Sequence, residues 1–142
     1  ITHGVHVPMI ASWPSKIKKP VIYDGVVDLT DFYATFSDIL NVSNESDGES
    51  LMSIFSGNKK YIRETVTIYY DPKWSTNVSK YRNVFSQDTN YKLYQNGDFF
   101  DMKNDILEDS PMSDEFLTKK QRLAKEKLSK KLSKFPSLPN IN

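Results

Sequence analysis

At 142 residues and a net charge of +1, the chain is long enough for one domain with a real core, or for two small units sharing an interface. Ordinary apolar and aromatic content argues against wholesale disorder, and the lack of cysteine removes disulfides, thiolate metal sites and cysteine nucleophiles together. No apolar run approaches the ~20 residues that cross a bilayer, and no segment reads as a signal peptide, so no membrane partner is expected.

The first readable element is "GVHVPMIASWP". Val5, Val7, Met9 and Ala11 alternate with other residues, which predicts a strand with an irregular or edge start at Pro8. A basic loop, "SKIKKP", follows. "LTDFYATFSDIL" places Phe32, Phe36, Ile39 and Leu40 on one helical face, with Thr30 or Asp31 available as N-cap. After the turn-rich "NVSNESDGES", "LMSIFSG" reads as a short helical element closed by Gly57.

Strands dominate next. "ETVTIYYDP" is rich in β-branched and aromatic residues and is stopped by Pro72. "KYRNVFSQ", "YKLYQ" and "DFFDM" are three more short strands, and the Asn-Gly of "QNGD" favours a tight primed hairpin turn. Their close spacing predicts antiparallel pairing. Beyond Pro111, Leu117, Ala124, Leu128, Leu132 and Phe135 form one stripe of an amphipathic helix, with Ser113, Asp114 and Glu115 at its start and lysines at its end. Eight of the nineteen basic residues fall within residues 113–135 against three acids, so a basic helix stands beside a mildly acidic body. With so narrow an apolar stripe, the helix is expected to lie on the sheet. The opening strand and helix do not close a core and need a sheet from elsewhere.

Several segments, in the same order, resemble the C-terminal part of sulfatases, the arylsulfatase-like branch of the alkaline phosphatase superfamily. "HGVHVPMIASWPSKIK" is similar to that family's "VP-x-I-x-x-WPGKI" segment, and "LTDFYATFSDILNV" to "LVDLFPTLLDLAGV", with Ala34 and Asn41 replacing Pro and Gly. "SDGESLMSIFSG" resembles "DG-x-SL-x-P-L-L-x-G". "NYKLYQNGDFFDMKNDILED" resembles "RYKLY-x-DG-x-FYDL-x-x-DP-x-E", with Ile106 in place of Pro. The resemblance covers nearly the whole chain.

It implies an α+β fold. Residues 1–62 would supply a strand and helix completing a large α/β sulfatase domain. Residues 63–142 would form a small four-stranded antiparallel sheet covered by the C-terminal amphipathic helix. It also implies a sulfuric ester hydrolase as the parent, acting on a sulfate ester substrate, a sulfated sugar above all, in a periplasmic or secreted setting. The family nucleophile is a formylglycine made in a C/S-x-P-x-R motif beside a divalent cation, usually calcium. Ser12 is followed by "WPS" and Ser110 by "PMS", so neither fits that motif. Calcium, formylglycine and the sulfate-binding Lys are thus expected in an N-terminal portion, with no catalytic or metal residue on this chain. The expectation is a C-terminal fragment, inactive alone, that shapes substrate access and either joins its N-terminal portion or self-associates.

Substrate-adjacent candidates follow from the same resemblance. Thr2 and His3 would line the rim of the active site, or merely adjoin it. His6, at a position held by Arg or His in the family, is better read as bracing neighbouring loops. Neither His has a metal partner at ligand spacing. In "YYDPKW", Lys73 would pair with a second anionic group and Trp74 stack on a sugar face, against the plainer reading of core tyrosines and a solvent-side loop. Arg82 aligns with an Arg that is either structural or pocket-facing. The rival function is a stand-alone polyanion-binding module using the lysine-rich helix. That helix has no aromatic or Arg-rich reading face, so no nucleic-acid partner is expected. Asn41, Asn44 and Asn77 open glycosylation sequons in a eukaryotic source.

Overall fold

The computed structural model describes residues 5–58, 62–74 and 77–139, and only the backbone of residues 74, 77 and 78. The chain divides into two compact units that meet at Val66 and Thr67.

The first unit is built on helix α1, Thr30–Leu40, and the single-turn helix α2, Met52–Phe55. The α1 N-terminus is closed by a reciprocal pair. Asp28 Oδ1 accepts from the Thr30 N–H (2.9 Å), and Asp31 Oδ2 accepts from the Asp28 N–H (2.8 Å). Asp28 therefore does the capping expected of Thr30 or Asp31. At the other end Asn41 takes a left-handed conformation (φ 55°), and the Val42 N–H reaches back to the Ser37 carbonyl at 3.0 Å.

The burial of α1 is opposite in phase to its hydrophobic pattern. Asp31, Ala34, Thr35 and Ser37 are buried, whereas Phe36 is 61% and Leu40 71% exposed. Polar anchoring sets this phase. Asp31, with no exposed surface, accepts from the Glu49 N–H (2.8 Å) and from the Arg63 guanidinium. Thr35 Oγ1 accepts from the Leu51 N–H at 2.9 Å. Gly48 belongs to the same junction, where a Cβ would land on the Thr30 carbonyl oxygen. The expected strand over Val5–Ala11 does not form. These residues belong to no helix or strand, and Val7 and Ile10 stay exposed. A strand needs a neighbour to satisfy its ladder, and this unit offers none among the described residues.

The second unit holds the four-stranded antiparallel sheet, in the order β1 (Val66–Tyr70), β4 (Asn83–Gln87), β5 (Tyr91–Tyr94), β6 (Phe99–Asp101). Between β1 and β4 lies a two-stranded hairpin, β2 (Lys73–Trp74) and β3 (Asn77–Val78), where a loop was expected. Register pairs Ser86 with Leu93, and Leu93 with Phe99. The "QNGD" turn is not of the primed two-residue kind. Gly97 alone is left-handed there (φ 99°), its N–H donating to the Tyr94 carbonyl at 3.0 Å, as in a type I turn followed by a left-handed glycine.

Helix α3, Lys119–Leu132, covers one face of this sheet as expected. Leu117, Leu128 and Leu132 pack with Val84, Tyr91, Leu93 and Phe99, and Ala124 lies against the same cluster. Phe135, expected on the same stripe, lies beyond the end of the helix and is 37% exposed. The helix begins later than its acidic lead-in suggests. Asp114–Phe116 form a separate 3-10 turn, and Thr118 is the true N-cap, in a capping box with Gln121. The strands' alternation sends Phe85, Tyr94 and Phe100 to the opposite face, where Ile68 and Met102 join them.

Candidate functional site

The β2–β3 hairpin carries two of the sequence candidates, Lys73 and Trp74, and Arg82 follows it just before β4. Antiparallel pairing sets Lys73 opposite Val78 and Trp74 opposite Asn77. The chain then returns through a tight turn: the Ser79 N–H donates to the Pro72 carbonyl (3.4 Å), the Tyr81 N–H to Ser79 Oγ (3.2 Å), and the Arg82 N–H to the Ser79 carbonyl (3.2 Å). Arg82 thereby comes back against Asp71, its Nε 3.1 Å from Asp71 Oδ1. Both side chains are about nine-tenths buried, and Arg82 Nη2 has no hydrogen-bond partner among the described residues. Arg82 thus sits inside the turn, and it locks the start of β2 to the start of β4.

Lys73 projects from this frame, exposed and without an ion pair among the described residues. For Trp74 only the backbone is described. His6 is exposed and lies in the first unit, within the segment that forms neither helix nor strand. Thr2 and His3 lie outside the described residues. The structure therefore separates the roles of these neighbours in sequence: Arg82 is buried on Asp71, and Lys73 is exposed.

A second constellation escaped the sequence reading. Lys92, on the central strand β5, has no exposed surface. Its Nζ donates to Glu108 Oε1 at 2.9 Å and lies 3.9 Å from the Phe85 ring centroid and 4.7 Å from that of Tyr94. The Tyr94 hydroxyl donates to the other oxygen of Glu108. Glu108 is held in a left-handed conformation (φ 61°) in a loop that Asp105 staples, accepting from the Asp109 and Ser110 N–H groups at 2.9 Å each. Burial pushes the Lys92 ammonium below the ordinary lysine range while Glu108 opposes that shift. Burial and the neighbouring carboxylate both push the Tyr94 phenol up. The period-2 alternation of "YKLY" carried the signal. If Tyr91 and Leu93 face α3, then Lys92 must point into the aromatic face and needs a buried acid there.

Neither constellation resembles a catalytic centre. A groove of the second unit, between α3 and the β5–β6 turn, is lined by Gln95, Arg122, Lys125 and Ser129 and by none of the six sequence candidates. Among the described residues no three His, Asp or Glu side chains are placed to hold a metal ion. These residues do not fit a calcium site. No helix among them is long and apolar enough to cross a membrane.

With this geometry in view, comparison with known proteins gives one positive finding. Residues 2–137 match the family model described as N-sulphoglucosamine sulphohydrolase, C-terminal. No curated protein matches the chain.

Proposed function

Because the chain belongs to the family of the C-terminal domain of N-sulphoglucosamine sulphohydrolase, a sulfatase, we propose that it completes such a hydrolase and shapes access to its active site. The family match over residues 2–137 carries this reading. A sulfatase C-terminal domain belongs with a sulfatase catalytic domain. In the proposed role the nucleophile, a formylglycine, and a calcium ion reside in that catalytic part, and no step runs through a metal held by these residues. The substrate class is a sulfated sugar, and the setting periplasmic or secreted.

Two features of the first unit support a packing role. The outward apolar face of α1 exposes Leu29, Tyr33, Phe36 and Leu40, and the unpaired segment after Gly4 exposes Val7 and Ile10. Apolar surface of this kind marks a contact that another chain segment covers. The catalytic part is the occupant this reading assigns. Lys73 and Trp74 would then reach toward the substrate from the hairpin, with Arg82 as their buried brace.

The test is co-elution of the chain with a sulfatase catalytic part of the same family. Phe36→Asp with Leu40→Asp is expected to abolish co-elution while leaving the unfolding midpoint of the isolated chain unchanged. Co-elution that survives both substitutions would remove α1 from the interface.

A further inference from the structure

Met112 joins the sheet edge to the start of α3. Its N–H donates to the Phe99 carbonyl of β6 at 2.7 Å, and its half-buried side chain packs against the cluster that holds Leu117, Leu128 and Phe99. Its Sδ accepts from Gln121 Nε2 at 3.5 Å. Gln121 is the second half of the α3 capping box: its Oε1 accepts from the Thr118 N–H and from the Thr118 hydroxyl, at 2.8 Å each. Because the amide oxygen is committed to the Thr118 N–H, the amide nitrogen faces the sulfur. The thioether therefore holds the capping side chain from behind. Of the four methionines, Met112 alone has a hydrogen-bonded sulfur among the described residues. Met9, by contrast, is 43% exposed in a segment that forms neither helix nor strand.

We propose that Met112 is an oxidative modification site, at which hydrogen peroxide converts the thioether to the sulfoxide and so uncaps α3. The peroxide O–O bond breaks, one oxygen bonds to Sδ, and the other leaves as water. Sulfur gives up two electrons and the peroxide takes them. The product is polar where the thioether was apolar, and it lies against a leucine-lined cluster. Nor does the new oxygen fit the existing contact. A hydrogen bond alone takes about 2.7–3.2 Å, and 3.5 Å between Sδ and Gln121 Nε2 leaves less than a covalent bond for S–O along that line. The oxygen therefore either pushes the amide off Thr118 or sets a polar bond against the apolar cluster. Both loosen the first turn of α3, and neither depends on the sulfatase reading.

The test treats the full chain with hydrogen peroxide, locates the oxidised methionines by peptide mass spectrometry, and follows helix melting by circular dichroism. Chain oxidised at Met112 is expected to melt about 4–8 °C lower, the shift of one lost cap in a unit of this size. Its amides over residues 118–124 are expected to exchange faster with deuterium. Met112→Leu keeps the side-chain volume and is expected to melt at the same temperature before and after peroxide. Met9→Leu is expected to fall as far as the unmutated chain. Thr118→Ala, already uncapped, is expected to fall less on oxidation, because both changes act on one cap. Three results would each overturn the proposal: Met112 staying reduced under peroxide that fully oxidises Met9, Met112→Leu falling as far as the unmutated chain, or Thr118→Ala falling by the full amount. Deuterium exchange needs no variant, so it decides the matter even if Met112→Leu fails to fold. Unchanged exchange over residues 118–124 after oxidation at Met112 overturns the proposal by itself.

Discussion

Lys92 and Glu108 show how a single residue fixes local structure in this chain. A lysine with no exposed surface survives at the centre of a sheet only because an acid and two rings meet it. Lys92→Met removes the ammonium and leaves the Glu108 carboxylate buried beside Tyr94. It is expected to destabilise the second unit by about 3–5 kcal/mol in urea unfolding. Adding Glu108→Gln should recover a large part of that loss, because the stranded charge is gone. An additive double variant would show that the pair is not coupled. Tyr94 gives the pH signature. Its phenol is raised in the folded state, so between the ordinary tyrosine range and that higher value the folded chain keeps a proton that the unfolded chain releases. The corresponding stability is fully present below about pH 10 and is lost as pH rises through the folded value. Tyrosinate absorbance should therefore develop late for Tyr94, and the late component should shrink in Tyr94→Phe to what Tyr91 contributes, whose phenol burial also pushes up. The sequence showed a lysine flanked by tyrosines. It did not show the acid, because Glu108 lies sixteen residues away in a loop whose left-handed turn no local pattern encodes.

At the scale of elements, local chemistry was readable where it decides the outcome locally. The β1, β4, β5 and β6 strands, helix α3 and the short α2 with its left-handed Gly57 follow from alternation, helical spacing and turn residues. Errors arose where a distant partner decides. The apolar periodicity of α1 predicted Phe36 and Leu40 inside, yet Asp31 and Thr35, tied to residues 49, 51 and 63, turn that face outward. The Val5–Ala11 alternation is strand-like, but pairing requires an edge this unit does not supply. The start of α3 was misplaced by the acids at 114 and 115, since a capping box at Thr118 outcompetes them. Thr118→Ala is accordingly expected to cost about 1 kcal/mol, read as a lower thermal midpoint. The same change at Ser113, which makes no side-chain cap bond, should be close to neutral.

Across the whole molecule the two units divide the work. The second is a closed sheet-and-helix structure with both sheet faces occupied, and it carries the hairpin that holds Lys73 and Trp74, with Arg82 just beyond it on Asp71. The first is held by polar staples around Asp31 and presents its hydrophobic side to the exterior. Family membership was legible in the sequence because its motifs recur in register across the chain, and the match over residues 2–137 agrees. The site was less legible. The family resemblance marked the "YYDPKW" loop, but only the fold shows that Arg82 is spent on Asp71 while Lys73 makes no ion pair among the described residues.

The most direct measurement of the central claim is release of inorganic sulfate from an N-sulphoglucosamine-terminated saccharide by a family catalytic part, with and without this chain. Little release is expected from the catalytic part alone, restored release when the chain is joined, and no restoration with Phe36→Asp and Leu40→Asp. Full release without the chain, or none with it, would contradict the account.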